Sequence, residues 1–384
     1  MMNKTERVYL YLEPYTNVFF SEKRVLVYNT IDGNRIIVEN IKNIKLLSQL
    51  TNDENLYCVL LEIDQLKDPI INGFIESLQD LFMGDIVRES LVEAKPHQLI
   101  PILNLQKDLD RFKKDLYSSI GDDVMKYIFD VSIYIGGNSN HQLDNAFKQF
   151  LFPKKSSKST MSLSIIKKIA SELEHNSYGN INIVGGDISD HKDLNKIFNI
   201  LDDLKMQKTI HLYYKDNFID VSNRNNFKTR YYIDFPIINN IDFITLKSKD
   251  INFSFVIQKE EDVEKAEALI LEYSLENYLF QPYYNGENID LFEKNIYLNE
   301  DDILEVKLNQ NDIFSNMKIN KNNFGKLVVF SDGEVHANVN KKSLGNINDR
   351  DFHSLIFNEL SGDESWKDVR MNAHTCKDCV YNCL

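Results

Sequence analysis

The sequence predicts an α/β chain organised around parallel strands, and three observations carry that reading. Two stretches, Ile128 to Phe147 and Ile181 to Leu194, each open with an apolar, β-branched run that ends in a Gly-Gly pair, Gly136-Gly137 and Gly185-Gly186. Each pair then leads through a polar loop into an amphipathic stretch, the order expected of βα units. Four further strand-like runs follow, Thr209 to Tyr214, Arg230 to Phe235, Asn252 to Ile257 and Tyr278 to Tyr283. Helical patterns, Ser162 to Glu174, Asp193 to Leu204 and Glu261 to Tyr273, separate most of them. In such a sheet the carboxyl ends of the strands line the site. That places Asn138, His141, Asp187, Tyr213, Tyr214, Asp234, Gln281 and Tyr284 on the expected rim.

Composition bounds the function. A chain of 384 residues is long enough for two or three domains. A formal net charge of −14 disfavours nucleic acid or an anionic membrane as the main partner, because phosphate binding needs a basic surface. Lys154, Lys155 and Lys158 read as a solvated loop. No stretch reaches the ~18 apolar residues of a membrane span, and the N-terminus lacks a signal-peptide core. A cytoplasmic protein is expected, where a cysteine cluster reads as metal-binding sooner than as a disulfide framework. The cysteines are Cys58, Cys376, Cys379 and Cys383.

Residues 1–95 form a first domain. Val8 to Leu12 and the runs Val25 to Tyr28 and Ile36 to Val38 read as strands, the latter two flanking Asp32-Gly33, a hairpin signal. Ile41, Ile44, Leu47 and Leu50 recur at helical spacing, and Tyr57 to Leu61 is strand-like with Cys58 as a small core residue. A helix over Pro69 to Phe82 is expected to close at Met83-Gly84, with glycine as its cap and with Ile75 and Leu78 in the core. Residues 96–126 are a connector whose Leu105, Leu109, Phe112, Leu116 and Ile120 predict a helix. Residues 127–320 hold the parallel strands, and 321–384 a last domain with a hairpin at Asp332-Gly333, a helix to about Leu360, Trp366, Arg370 and the tail Cys376-x-x-Cys379-x-x-x-Cys383.

Several motifs, taken in this order, resemble a radical S-adenosylmethionine (SAM) peptide maturase with a C-terminal SPASM domain. In that family the first barrel strand delivers Cys-Asn-x-x-Cys-x-x-Cys-aromatic, whose thiolates hold three irons of a [4Fe-4S] cluster. The frame here reads Ser139-Asn140-His141-Gln142-Leu143-Asp144-Asn145-Ala146-Phe147. Ser, Leu and Ala cannot supply soft thiolate ligands. The second motif, Gly-Gly-Glu-Pro, becomes Gly185-Gly186-Asp187-Ile188, a vestigial SAM motif. The resemblance is therefore to a degenerate, pseudo-radical SAM protein. It implies an open, partial (β/α)₆ TIM-like barrel, flanked by a C-terminal SPASM-like domain.

The phrase Val25 to Val38 resembles the winged-helix RiPP recognition element, which grips the leader of a ribosomal peptide precursor. In that family the leader adds as a strand, so Asn34, Arg35, Ile36, Ile37 and Val38, with Phe82 on the neighbouring helix, are the implied peptide-binding residues. The implied function is a non-catalytic subunit that pairs, as a heterodimer, with an active radical SAM/SPASM maturase and presents the precursor. The alternatives are an enzyme using the barrel with another cofactor, and a SPASM-type iron–sulfur protein passing electrons to the partner. No cofactor is expected at the SAM-cluster position. Cys376, Cys379 and Cys383 suit an iron–sulfur cluster or zinc, with His374 as a fourth ligand, or are free thiols. The family pattern expects more cysteines beyond them.

Overall fold

The computed structural model describes residues 6–96, 121–139, 141–143, 145–154, 159–224, 226–238, 241–247, 251–362 and 364–384. The helix expected from Leu105 to Ile120, and Asn140, Asp144, Lys155 and Lys158, lie outside them. By packing, the chain divides into two compact units. One takes residues 1–108, 298–321 and 367–384, the other 109–297 and 322–366. The boundary read at residue 320 falls beside a switch between the units, but residues 298–321 and 367–384 pack with the first unit, so neither 127–320 nor 321–384 is a single packing unit.

The first unit contains two antiparallel three-stranded sheets. β1 (Arg7–Leu12) lies between β5 (Cys58–Glu62) and β6 (Gly84–Arg88), and β3 (Val25–Asn29) lies between β2 (Thr16–Phe20) and β4 (Arg35–Val38). Their apolar faces share a core with the helices Ile41–Leu50 and Pro69–Asp80, including Leu10, Val27, Leu47, Ile75 and Leu78. Asn40 and Asp68 cap these helices through their side chains, and Pro69 starts the second where a missing N–H costs nothing. Gly84 is not a helix cap. It is the first residue of β6, and a Cβ there would stand 2.5 Å from the Tyr11 carbonyl oxygen. The left-handed residue after the helix is Phe82 (φ 54), which is 71% exposed. A separate cluster explains why the late segments return: Leu26 and Tyr28 of β3 pack with Ile313, Val380 and Tyr381.

The second unit is built on a nine-stranded sheet in the order β12-β11-β10-β9-β8-β7-β13-β14-β15. β7 (Asp130–Tyr134), β8 (Asn180–Val184), β9 (Gln207–Tyr213), β10 (Phe227–Asp234), β11 (Ile251–Ile257) and β12 (Tyr278–Pro282) run parallel in sequence order. β13 (Lys326–Val329) joins parallel to β7, and β14 (Glu334–His336) and β15 (Gly345–Asn346) continue antiparallel. β7 therefore pairs with β13 on one side and β8 on the other, and the sheet stays open, as a partial barrel requires. Helices Leu163–Leu173, Leu194–Asp202, Phe243–Lys247 and Glu260–Tyr273 cross between strands. Ser162 caps the first of these, whose buried Ile165, Ile166 and Ile169 contribute about 1.5–3 kcal/mol each. Among the described residues, β9 and β10 are joined without a helix.

Register sorts the sheet into two faces. Val131, Ile133, Ile181, Ile183, Ile210, Leu212 and Ile233 share one, which is mostly apolar, with Lys208 and Thr229 buried near its amino-terminal end. Asp130, Ser132, Asn182, His211, Tyr213, Tyr232 and Asp234 share the other. A buried polar face is tolerable only if its groups bond to one another. Asn182 Nδ2 donates to Asp130 Oδ1 (2.8 Å), and His211 Nε2 reaches Asn182 Oδ1 (3.0 Å). That amide oxygen only accepts, so His211 Nε2 carries the proton and Nδ1 accepts from the Tyr232 hydroxyl at 3.0 Å. Burial, with the Arg230 charge nearby, lowers the His211 pKa to about 3 and keeps the ring neutral.

Candidate functional site

The two Gly-Gly pairs exist because two loops meet backbone to backbone above β7 and β8. Gly136 and Gly137 have φ of 100° and 106°, a region that favours glycine. A Cβ on Gly185 would stand 2.2 Å from the Gly136 carbonyl oxygen, and one on Gly186 2.3 Å from the Asn138 carbonyl carbon. Gly186 N–H donates to Gly136 O (3.2 Å) and Asp187 N–H to Asn138 O (2.6 Å). The Asp187 carboxylate is fully engaged. Oδ1 accepts from the Ser189 amide (3.1 Å) and hydroxyl (2.6 Å), and Oδ2 from the Asn217 side chain (2.7 Å).

At the three positions where the resembled family places cysteines, Leu143 and Ala146 belong to the hydrophobic core and Ser139 is buried. The Ser139 hydroxyl has no partner among the described residues. These side chains do not fit an iron–sulfur cluster, which needs thiolate donors. The residues after them close the polar face. Phe152 is 0% exposed, its ring 5.1 Å from Tyr232, 6.0 Å from Tyr213 and 4.9 Å from His141. His141 Nε2 bonds to Pro153 O at 2.8 Å, and Tyr213 donates to Asp234 Oδ1 at 2.8 Å.

Of the rim residues expected from sequence, the structure brings Asn138 to Asp187, His141 to Tyr213, and Tyr213 to Asp234. Tyr213 is held as a phenol by burial and by the Asp234 charge, which push its pKa far up. Tyr214 is buried, Gln281 is half-buried, and Tyr284 is exposed, bonded through its amide to Gln149. Sequence reasoning missed Phe150 and Phe152, whose signal was two aromatics spaced by one residue before Pro153. It also missed Phe330 and His336. They line a cavity of about 490 Å³ with Tyr134, Phe147 and Lys154, where β7 and β13 end.

The tail cysteines are not gathered. Cys379 is exposed, Cys376 half-buried and Cys383 buried, its thiol bonded to Asn382 Oδ1 at 3.0 Å. Burial pushes the Cys383 pKa up to about 11. Among the described residues no group of three His, Cys, Asp or Glu side chains is placed to hold a metal. Among them, too, no helix is long and apolar enough to cross a membrane.

Of the residues expected to bind peptide, Arg35 to Val38 form β4, Asn34 precedes it and Phe82 lies past the helix Pro69–Asp80; among the described residues β4 pairs only with β3. Asn29 N–H bonds to Asn34 O, and antiparallel bonding alternates, so Ile36 and Val38 turn their backbone groups toward β3. Arg35 and Ile37 turn theirs to the open edge. The Arg35 side chain donates to Leu304 O (2.5 Å).

No family model matches the chain, and no curated protein matches it. It is similar to crystal structures of Streptococcus suis SuiB, at 12% identity and a TM-score of 0.48, covering 97% of this chain and 94% of that one. The form of SuiB bound to S-adenosylmethionine gives 13% and 0.46 with the same coverage. It is also similar to anSMEcpe with bound AdoMet, at 15% identity and 0.45, over 67% of this chain and 84% of that one. The assignment of a mixed α/β fold on an open parallel sheet rests on the order and register of the strands themselves.

Proposed function

We propose that this chain is a non-catalytic subunit that pairs with an active radical SAM peptide maturase and holds the leader of a ribosomal precursor. The observation that carries the reading is the state of the cluster loop. Leu143 and Ala146 are core residues, and Phe152 seals the polar face behind them. A scaffold so filled serves packing at the place where radical chemistry would begin. The open β4 edge supports the second half of the reading, because a strand added there gains backbone bonds from Arg35 and Ile37.

The test is fluorescence anisotropy with a labelled leader from a short precursor encoded beside this chain. Full-length protein is used, alone and with the adjacent maturase. Ile37→Pro removes an edge-facing donor without touching the β3 ladder, and each such bond contributes about 0.5–1.5 kcal/mol. Binding is expected to weaken about tenfold. If neither protein form binds the leader, while the maturase alone binds and processes the precursor at full rate, the recognition role is refuted.

A further inference from the structure

We propose that the outer face of β12, with the flank of the helix Glu260–Tyr273 beside it, is a docking surface for a basic amphipathic helix. The inference does not rest on the leader-binding reading. Register carries the apolar face of the sheet outward from Ile233 to Phe255 and Phe280, and from Ile257 to Pro282. A parallel sheet normally has helices over both of its faces. Over β11 that cover is complete, and Phe253, Phe255 and Ile257 are at most 3% exposed. After β12 the next helix is only the seven-residue Ile289–Asn295. Phe280 and Pro282 are left half-buried, and Tyr278 is 47% exposed. Phe280, Pro282, Val263 and Leu291 line a groove of about 460 Å³ there.

Charge names the occupant. Between Lys259 and Ile296 ten acidic side chains stand against three basic ones, which is half of the chain's net charge of −14. Glu260, Glu261 and Asp262 suit the positive end of the helix they begin. Glu264 and Glu267 lie beyond that first turn, are exposed, and among the described residues make no ion pair. Glu260, Glu264, Glu267 and Leu271 recur at helical spacing and so form one stripe. Its first two members line the groove, and Leu271 is 80% exposed. An apolar groove walled by unpaired acids matches a helix whose apolar stripe is flanked by lysine or arginine. Two other occupants fit less well. Phe253 N–H bonds to Asn277 O and Tyr283 N–H to Ile257 O, so Tyr278, Phe280 and Pro282 turn their backbone groups to the open edge, where Pro282 offers an added strand no donor. A second copy of the chain would bring acid against acid.

Fluorescence anisotropy with the full chain tests this, using dye-labelled synthetic helices about four turns long. One carries leucine and lysine in an amphipathic pattern, one the same residues in scrambled order, and one leucine and glutamate in the first pattern. The patterned leucine–lysine peptide is expected to saturate, and the other two to bind about tenfold more weakly or not at all. Leu271→Glu, and Glu264→Lys together with Glu267→Lys, should each weaken it about tenfold. All three positions are exposed, so the fold is kept, and circular dichroism checks it. Glu174→Lys with Asp203→Lys changes the net charge equally at two exposed positions elsewhere and should weaken binding clearly less. The proposal is overturned if the patterned leucine–lysine peptide does not saturate, if either control peptide binds as well, if Leu271→Glu or the Glu264/Glu267 pair binds as the parent does, or if the Glu174/Asp203 pair weakens binding as much. Sedimentation velocity of the chain alone covers the remaining occupant. A dimer that Leu271→Glu dissociates would assign the face to a second copy and overturn the proposal; no such dimer is expected.

Discussion

Two ends of one strand row differ in how their polar groups are used. Over β8 to β10 the groups are matched: Asp187 with Ser189 and Asn217, Tyr213 with Asp234, His211 with Asn182 and Tyr232. Phe152 fills the space between them. Over β7 and β13 a cavity remains, where among the described residues Lys154 pairs with no carboxylate and His336 Nδ1 has no hydrogen-bond partner. The contrast teaches that one part of a sheet's polar face is stabilised by packing and matched hydrogen bonds while another leaves polar groups unmatched beside open space.

The largest expected effect tests the filled end. Phe152→Ala removes a wholly buried ring and should cost about 3–5 kcal/mol in urea unfolding. Phe330→Ala, on the cavity wall, should cost clearly less, and equal losses would break the contrast. A smaller effect sharpens it. Because the folded His211 pKa is near 3 and the unfolded value is ~6.5, the unfolded chain takes up the proton first. The stability this histidine contributes is present above pH ~6.5 and is lost as pH falls toward the folded value, about 2 kcal/mol by pH 5. Unfolding curves at pH 7.5 and pH 5 measure it, and His211→Gln should remove that part of the slope. The smallest effect concerns the tail. Iodoacetamide at pH 8, read by mass spectrometry, should label Cys379 and Cys376 while Cys383 stays protected by burial and its raised pKa. Equal labelling of all three would show that the tail is not held as described.

Local patterns were legible where a single stretch decides the outcome. The parallel strands, the hairpin at Asp32-Gly33 and the core positions Ile75 and Leu78 all follow from nearby residues. What depends on distant pairing was not. Gly84 read as a helix cap because the approach of Tyr11 is invisible in the sequence. β2 went unread, and the return of residues 298–321 to the first unit depends on Ile313 meeting Leu26 and Tyr28. The cavity was hidden for the same reason. It forms only when β13 pairs with β7, bringing Lys326 opposite Asp130 and carrying Phe330 and His336 to the rim. Lys154, read as part of a solvated loop, is instead held between two rings.

The central claim is that the place of the cluster has been given over to packing. Its most direct test is to reconstitute the full chain anaerobically with iron and sulfide, add SAM and a strong reductant, and quantify 5′-deoxyadenosine by chromatography. With Ser139, Leu143 and Ala146 at the ligand positions, the account predicts no product above a protein-free control. Formation of 5′-deoxyadenosine by this chain alone would contradict it.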